Sequence, residues 1–168
     1  SGRIFIFDKD IASLSYNDLR GLRRRIGVVM NDGGLVSNLK IWENIVLPLS
    51  YHTSCADGEL EASMMSILKK TGYDDDVTKL PGMLPAYKNR LAGMARAMLM
   101  EPDIMIYDSI FDGLNSSIEA KVVDAAHEFH QTKAGRLSLF VFSRDDSVAG
   151  LRPNRIFRLK KGKIYEGN

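Results

Sequence analysis

The sequence predicts an α/β fold, a mainly parallel sheet flanked by helices. Short apolar runs at Ile4–Phe7, Ile26–Met30, Ile104–Tyr107 and Leu137–Phe142 alternate with longer segments whose apolar residues recur at helical spacing. The run Ile104–Tyr107 ends in a lone carboxylate, Asp108, and then passes through Ser109 into a polar turn holding Gly113. A buried parallel strand delivers a ligand-handling group to the carboxyl edge of an open sheet in this way. At 168 residues the chain fits one domain with a sizeable core.

Composition narrows the function classes. Hydrophobic residues make up 45% and charged residues 26%, ordinary for a globular protein. A net charge of +2 gives no support to a nucleic-acid partner, and Arg20, Arg23, Arg24 and Arg25 read as a solvated helix end. The single cysteine, Cys55, excludes an internal disulfide and agrees with a reducing compartment. No apolar run approaches the ~20 residues of a transmembrane helix, so a membrane role would need a partner. The chain opens on Ser1 and enters the first apolar run at once, which reads as a piece of a longer polypeptide.

In chain order, Ile4–Phe7 is a strand closed by the turn residues Asp8–Asp10. Ser15 caps a helix over about Tyr16–Arg24, with Asp18 at its positive end and the arginines at the other. Ile26–Met30 is the second strand. Ile41–Val46 is a short amphipathic helix that Pro48 should end. Trp42 on it reads equally as core or as an interface anchor. Glu59–Lys70 carries Leu60, Met64, Ile67 and Leu68 on one face and stops at Gly72. Its methionines are core fillers. A helix over about Ala86–Met100 follows, then the strand Ile104–Tyr107 and a helix over Ser117–Lys133 ended by Gly135. His52 and the pair His127/His130 lack the company a metal site needs and read as solvated positions. After the strand Leu137–Phe142, Arg155–Gly167 forms a hairpin through Lys161–Gly162.

Several stretches together resemble the nucleotide-binding domain of ABC transporters. Ser1–Met30 resembles that family's segment "sGrI-id-G-kDI-LS-dLR-lRr-iGvvfQ"; Asp32–Leu49 resembles its segment "d-GGLfsnLtvwENvaLPL", closest to the ATPases of Mla/Mce-type lipid transport. Arg90–Asp108 resembles "rvalARAll-ePdili-D". The resemblance implies a P-loop NTPase-like fold over residues 1–168, one partial domain with a helical signature subdomain at about 41–100. It implies ATP and Mg²⁺ as ligands, and as partners an integral-membrane permease and another nucleotide-binding subunit. It implies a place on the inner face of the cytoplasmic membrane. The phosphate-binding loop Gly-x-x-x-x-Gly-Lys-[Ser/Thr] does not occur; in the family it lies upstream of the matching segment.

The resemblance also assigns roles position by position. Asp108 falls on the Walker B aspartate, either a Mg²⁺ contact or a turn cap. Ser109 falls on the catalytic glutamate, Arg144 on the switch histidine and Asn31 on the Q-loop glutamine, whose amide it keeps with one methylene less reach. Leu84-Pro85-Ala86-Tyr87-Lys88 falls on the signature Leu-Ser-Gly-Gly-Met, where the proline removes an amide hydrogen and the tyrosine fills a close approach. Asp112-Gly113-Leu114-Asn115 falls on the D-loop. These departures imply a degenerate, non-hydrolysing subunit that docks on a permease through Leu35 and Trp42, in lipid transport. Two alternatives stand beside it. One is an ATP-hydrolysing subunit whose phosphate-binding loop lies upstream. The other is a soluble α/β module that holds a phosphorylated ligand through Lys88 or Arg144.

Overall fold

A computed structural model of the protein describes residues 2–51, 57–143 and 150–167. Its centre is a three-stranded parallel sheet of β3 (Ile26–Val29), β4 (Ile104–Asp108) and β5 (Leu137–Val141), in the order β3-β4-β5. Ile26 pairs with Ile104, which pairs with Leu137, so the three strands start level. Asp103 sets that start: its amide donates to the Arg25 carbonyl at 2.9 Å and its carbonyl accepts from the Leu137 amide at 2.9 Å.

Two antiparallel hairpins stand apart from this sheet. The first pairs β1 (Phe5–Ile6) with β2 (Lys9–Asp10). Here the sequence reading is corrected, because Ile4–Phe7 does not join the parallel sheet. Phe7 and Asp8 take φ of 50° and 61°, a left-handed pair that folds the strand back on itself. The Phe7 ring then lies under the Arg25 guanidinium, 3.6 Å from its carbon. The second hairpin pairs β6 (Ile156–Lys160) with β7 (Lys163–Gly167), turning through Lys161 and Gly162 as expected.

Five helices complete the described chain: α1 (Tyr16–Arg23), α2 (Ile41–Ser50), α3 (Asp57–Thr71), α4 (Ala86–Leu99) and α5 (Ser116–Gln131). α2 does not stop before Pro48. The proline sits in the last turn, where it removes one backbone bond, and the half-buried Leu47 and Leu49 hold the extra turn against the protein. α2, α3 and α4 pack on one another, and α4 also lies against β3. One sheet face (Gly27, Val29, Met105, Tyr107) is buried beneath α4 and α5, and Tyr107 stacks on Phe140 with ring centroids 4.5 Å apart. The opposite face is open: Val28, Leu137, Leu139 and Val141 are all exposed. Helices therefore cover one side of the described sheet rather than both, and the outer edge of β5 has no strand partner among the described residues.

The Asp103 carboxylate binds Arg25 and Lys133, joining β3 to the end of α5, and these cations hold it below the usual carboxylate range. A group whose pKa is lower when folded stabilises the fold above its unfolded value and loses that contribution as pH falls through the folded value. Acid unfolding below about pH 4 is therefore expected to be shallower in Asp103→Asn than in the wild type. Thermal melts between pH 2.5 and 6 check this, and parallel curves would remove Asp103 from the account.

Candidate functional site

Parallel strands that start level also finish level, and their carboxyl ends bring the chemistry-bearing residues together. Val29 pairs with Tyr107 and Asp108 with Val141. Asn31, Asp108–Ser109 and Ser143 thus follow the ends of adjacent strands. Arg144 and His52 lie outside the described residues.

Asp108 is exposed at the tip of β4. Ser109 takes φ 53°, donates its amide to the Val141 carbonyl at 2.9 Å and turns its hydroxyl onto Asp108 Oδ1 at 3.1 Å. A short side chain is thus bent back on the neighbouring carboxylate. The loop continues through Asp112 and Gly113, φ 69°, to Asn115. Asn115 is the N-cap of α5 and accepts from the Ile118 amide at 3.0 Å.

Asn31 opens a tight turn. The Gly33 amide donates to the Met30 carbonyl at 2.9 Å and the Gly34 amide to Asp32 Oδ1 at 2.8 Å. Gly33, at φ 84°, lies directly on the backbone of α4, where a Cβ would come within 2.2 Å of the Asn89 carbonyl oxygen. Gly93 faces it from the helix under the same constraint.

Arg90 was not singled out by the sequence reading. From α4 it donates to the Asn31 carbonyl, to the Ile110 carbonyl at 3.1 Å and to the Asp112 carbonyl at 2.6 Å. One guanidinium therefore ties the Asn31 turn to the loop after β4. Burial holds its pKa below the ordinary guanidinium value, while Asp112 and Asp32 oppose that shift. Arg96, one and a half turns on, donates to the Gly33 carbonyl at 3.3 Å. A planar fork with several donors suits this gathering of carbonyls, but the motif spacing gave no sign of it.

Leu84–Lys88 begins α4, with Pro85 at its N-cap offering no side-chain acceptor. Lys88 does not face outward to meet a phosphate. Its ammonium is buried between the Tyr73 and Tyr87 rings, 5.7 and 5.4 Å from their centroids, and is ion-paired with Asp74. Burial pushes its pKa down, with Lys121 adding like-charge repulsion. The ligand reading through Lys88 is corrected accordingly, because the group is already committed within the fold.

In the Leu35–Leu49 segment, Leu35 packs on the core and Trp42 remains 38% exposed on α2. In the same segment Asn44 is fully buried and fully paired: Oδ1 accepts from the Val36 amide at 2.7 Å, and Nδ2 donates to the carbonyls of Val36, Leu39 and Lys40. This one side chain holds the loop before α2 in shape; leaving such a buried amide unpaired costs about 1–3 kcal/mol.

The fit to a Mg²⁺–nucleotide complex is partial. Asp108 supplies an exposed carboxylate and Asn31 an amide, and no cluster of three metal-ligating side chains occurs among the described residues. No reaction step follows from that donor set.

No family model matches the chain. It is 28% identical over 166 residues to methionine import ATP-binding protein MetN 1 of Bacillus thuringiensis subsp. konkukian, covering 99% of this chain and 48% of that protein. It is 26% identical over 165 residues to MetN of Xanthomonas campestris pv. campestris, again covering 48% of the relative. The chain spans about half the length of the curated relatives it matches. Among solved structures it superposes on the ATP-binding cassette MJ0796, a dimer bound to ADP and Pi, with a TM-score of 0.84 at 21% identity, covering 99% of this chain and 73% of that one. It superposes on cbiO1 of Clostridium perfringens, part of the ABC transporter complex cbiONQ, with a TM-score of 0.80 at 23% identity, covering 100% and 66%. The fold is that of an ABC ATPase cassette.

Proposed function

We propose that this chain, with its ABC ATPase cassette fold, acts as the ATP-binding-cassette part of a membrane transporter. It docks on an integral-membrane subunit through the Leu35–Leu49 segment, pairs with another nucleotide-binding subunit, and does not hydrolyse ATP by itself. Such a subunit works on the inner face of the cytoplasmic membrane. The observation that carries this reading is the contrast between two surfaces. The loop before α2 is locked by the buried Asn44 and presents Trp42, while the strand-end site offers Asp108 with a serine hydroxyl folded onto it. The likeness of Leu35–Leu49 to lipid-transport ATPases supports a lipid cargo; methionine import belongs to the names of the relatives.

Docking is tested by Trp42→Glu. This variant is expected to fold, as judged by circular dichroism, and to lose co-purification with the membrane subunit. Unchanged co-purification would move the interface elsewhere. Leu35 is a poorer probe, because it packs on the core and its replacement would destabilise the fold.

A second reading, an ATPase whose phosphate-binding loop lies outside this sequence, is supported by the share of its relatives that the chain spans. Phosphate release by this chain tests the first reading. Wild type and Ser109→Glu are both expected to release phosphate from Mg²⁺–ATP no faster than Asp108→Asn. A general base contributes typically 10²–10⁴-fold, but only when it acts on a bound and aligned phosphate, and positioning supplies nearly all of phosphoryl-transfer catalysis. Turnover clearly above the Asp108→Asn control would overturn the non-hydrolysing reading.

A further inference from the structure

A second site lies against β3, beside α1. Where α1, the first residues of β3 and the ends of α2 and α4 meet, they enclose an open cavity of about 370 Å³, within the range of small-molecule sites. Four guanidiniums line it. Arg20, Arg23 and Arg24 are spaced three and four apart, which puts them on one face of the α1 end, and Arg96 reaches in from α4. No acidic residue lines it. Apolar contact is offered by Tyr16, Val28, Pro48 and Met100.

The arginines differ in how they are occupied. Arg25, Arg90, Arg136 and Arg155 each hold a carboxylate or backbone carbonyls. Among the described residues the side chains of Arg20, Arg23 and Arg24 hold neither an ion pair nor a hydrogen bond, and Arg96 uses one Nη on the Gly33 carbonyl. A solvated helix end would account for the three on α1. It would not account for the fourth cation, brought from another element to the same cavity. Like charges around one space repel, and an anion between them reverses the sign of every pair. The fork of N–H donors on each guanidinium matches phosphate oxygens two at a time.

We propose that this cavity binds a phosphate-bearing anion carrying at least two negative charges, with its less polar part against Tyr16, Pro48 and Met100. The site does not rest on the nucleotide reading: its lining holds neither Asn31 nor Asp108, although Arg96 also bonds the Gly33 carbonyl of the Asn31 turn. Its test is therefore separate from the hydrolysis assay.

Calorimetric titration of the full chain with pyrophosphate, at constant ionic strength, is expected to show saturable binding. The double variant Arg20→Ala/Arg24→Ala should weaken it at least tenfold. Lys160→Ala/Lys163→Ala, which removes the same charge from the β6–β7 hairpin, should leave it unchanged. Cosedimentation with phosphatidylcholine vesicles containing phosphatidic acid distinguishes the source. Vesicle binding lost in the arginine variant assigns a lipid headgroup; pyrophosphate binding without vesicle binding assigns a soluble phosphorylated molecule. Both outcomes support the site. Absence of saturable pyrophosphate binding, or equal binding by the arginine variant, overturns it. Displacement of pyrophosphate by a glutamate-rich peptide of higher affinity also overturns it, and gives the cavity to an acidic protein partner.

Discussion

Gly93→Ala is expected to lower the melting temperature, although it adds only one methyl group to a helix. Alanine is ordinarily about 1 kcal/mol better than glycine inside a helix, so propensity alone predicts a gain. Contact geometry overrides it. A Cβ at position 93 would lie 2.3 Å from the Gly33 carbonyl oxygen and 2.9 Å from its Cα, and both are backbone atoms that cannot rotate away. The 31–34 turn would have to lift off α4, giving up the bonds from Arg90 to Asn31 and from Arg96 to Gly33. Overpacking of this kind costs typically 1–3 kcal/mol and sometimes more; with the lost bonds, about 3 kcal/mol or more is expected, a fall in Tm of roughly 6–12 °C. Gly21→Ala is the control. It lies in α1 with nothing within 4 Å of the added methyl and is expected to be neutral or slightly stabilising. Equal melting temperatures for Gly93→Ala and wild type would show that the helix and the turn do not touch as described.

Arg90→Ala is expected to loosen both strand-end loops together. Its guanidinium bonds carbonyls on two separate segments, so its removal uncouples them as well as weakening each. Hydrogen bonds from a charged donor contribute about 1.5–3 kcal/mol each when buried. Arg90 is only partly buried, so about 2–3 kcal/mol in total is the reasonable expectation, equivalent to roughly 30–150-fold faster local opening. Hydrogen exchange reads this at two amides, Gly33 in the first turn and Asp112 in the second. Both should accelerate, while the β3–β4 ladder changes less. Acceleration at one loop alone would mean that Arg90 supports that loop without linking the two. Arg90→Lys is expected to rescue little, since a single ammonium cannot span three carbonyls on a fixed fork.

The sequence by itself determined the parallel strands β3, β4 and β5, the places of the five helices to within a few residues, and the β6–β7 hairpin. Each follows from local chemistry: β-branched and apolar runs, capping residues such as Ser15 and Asn115, and a Lys161–Gly162 turn that takes positive φ at both positions. Family likeness on the same letters pointed to an ATP-binding cassette, and superposition confirms that fold. Only the tertiary structure decided which side chains are free. Lys88 reads from sequence as a cation available to phosphate, but Asp74, fourteen residues earlier in the chain, takes it up beneath two tyrosine rings. Arg90 gathers carbonyls from two loops that the sequence does not mark as its neighbours. Ile4–Phe7 reads as a sheet strand because its apolar letters are right; the left-handed pair Phe7–Asp8 at its end turns it into a hairpin. Hydrogen-bond partners and like-charge clusters depend on separations in space, and periodicity along a chain carries no record of them.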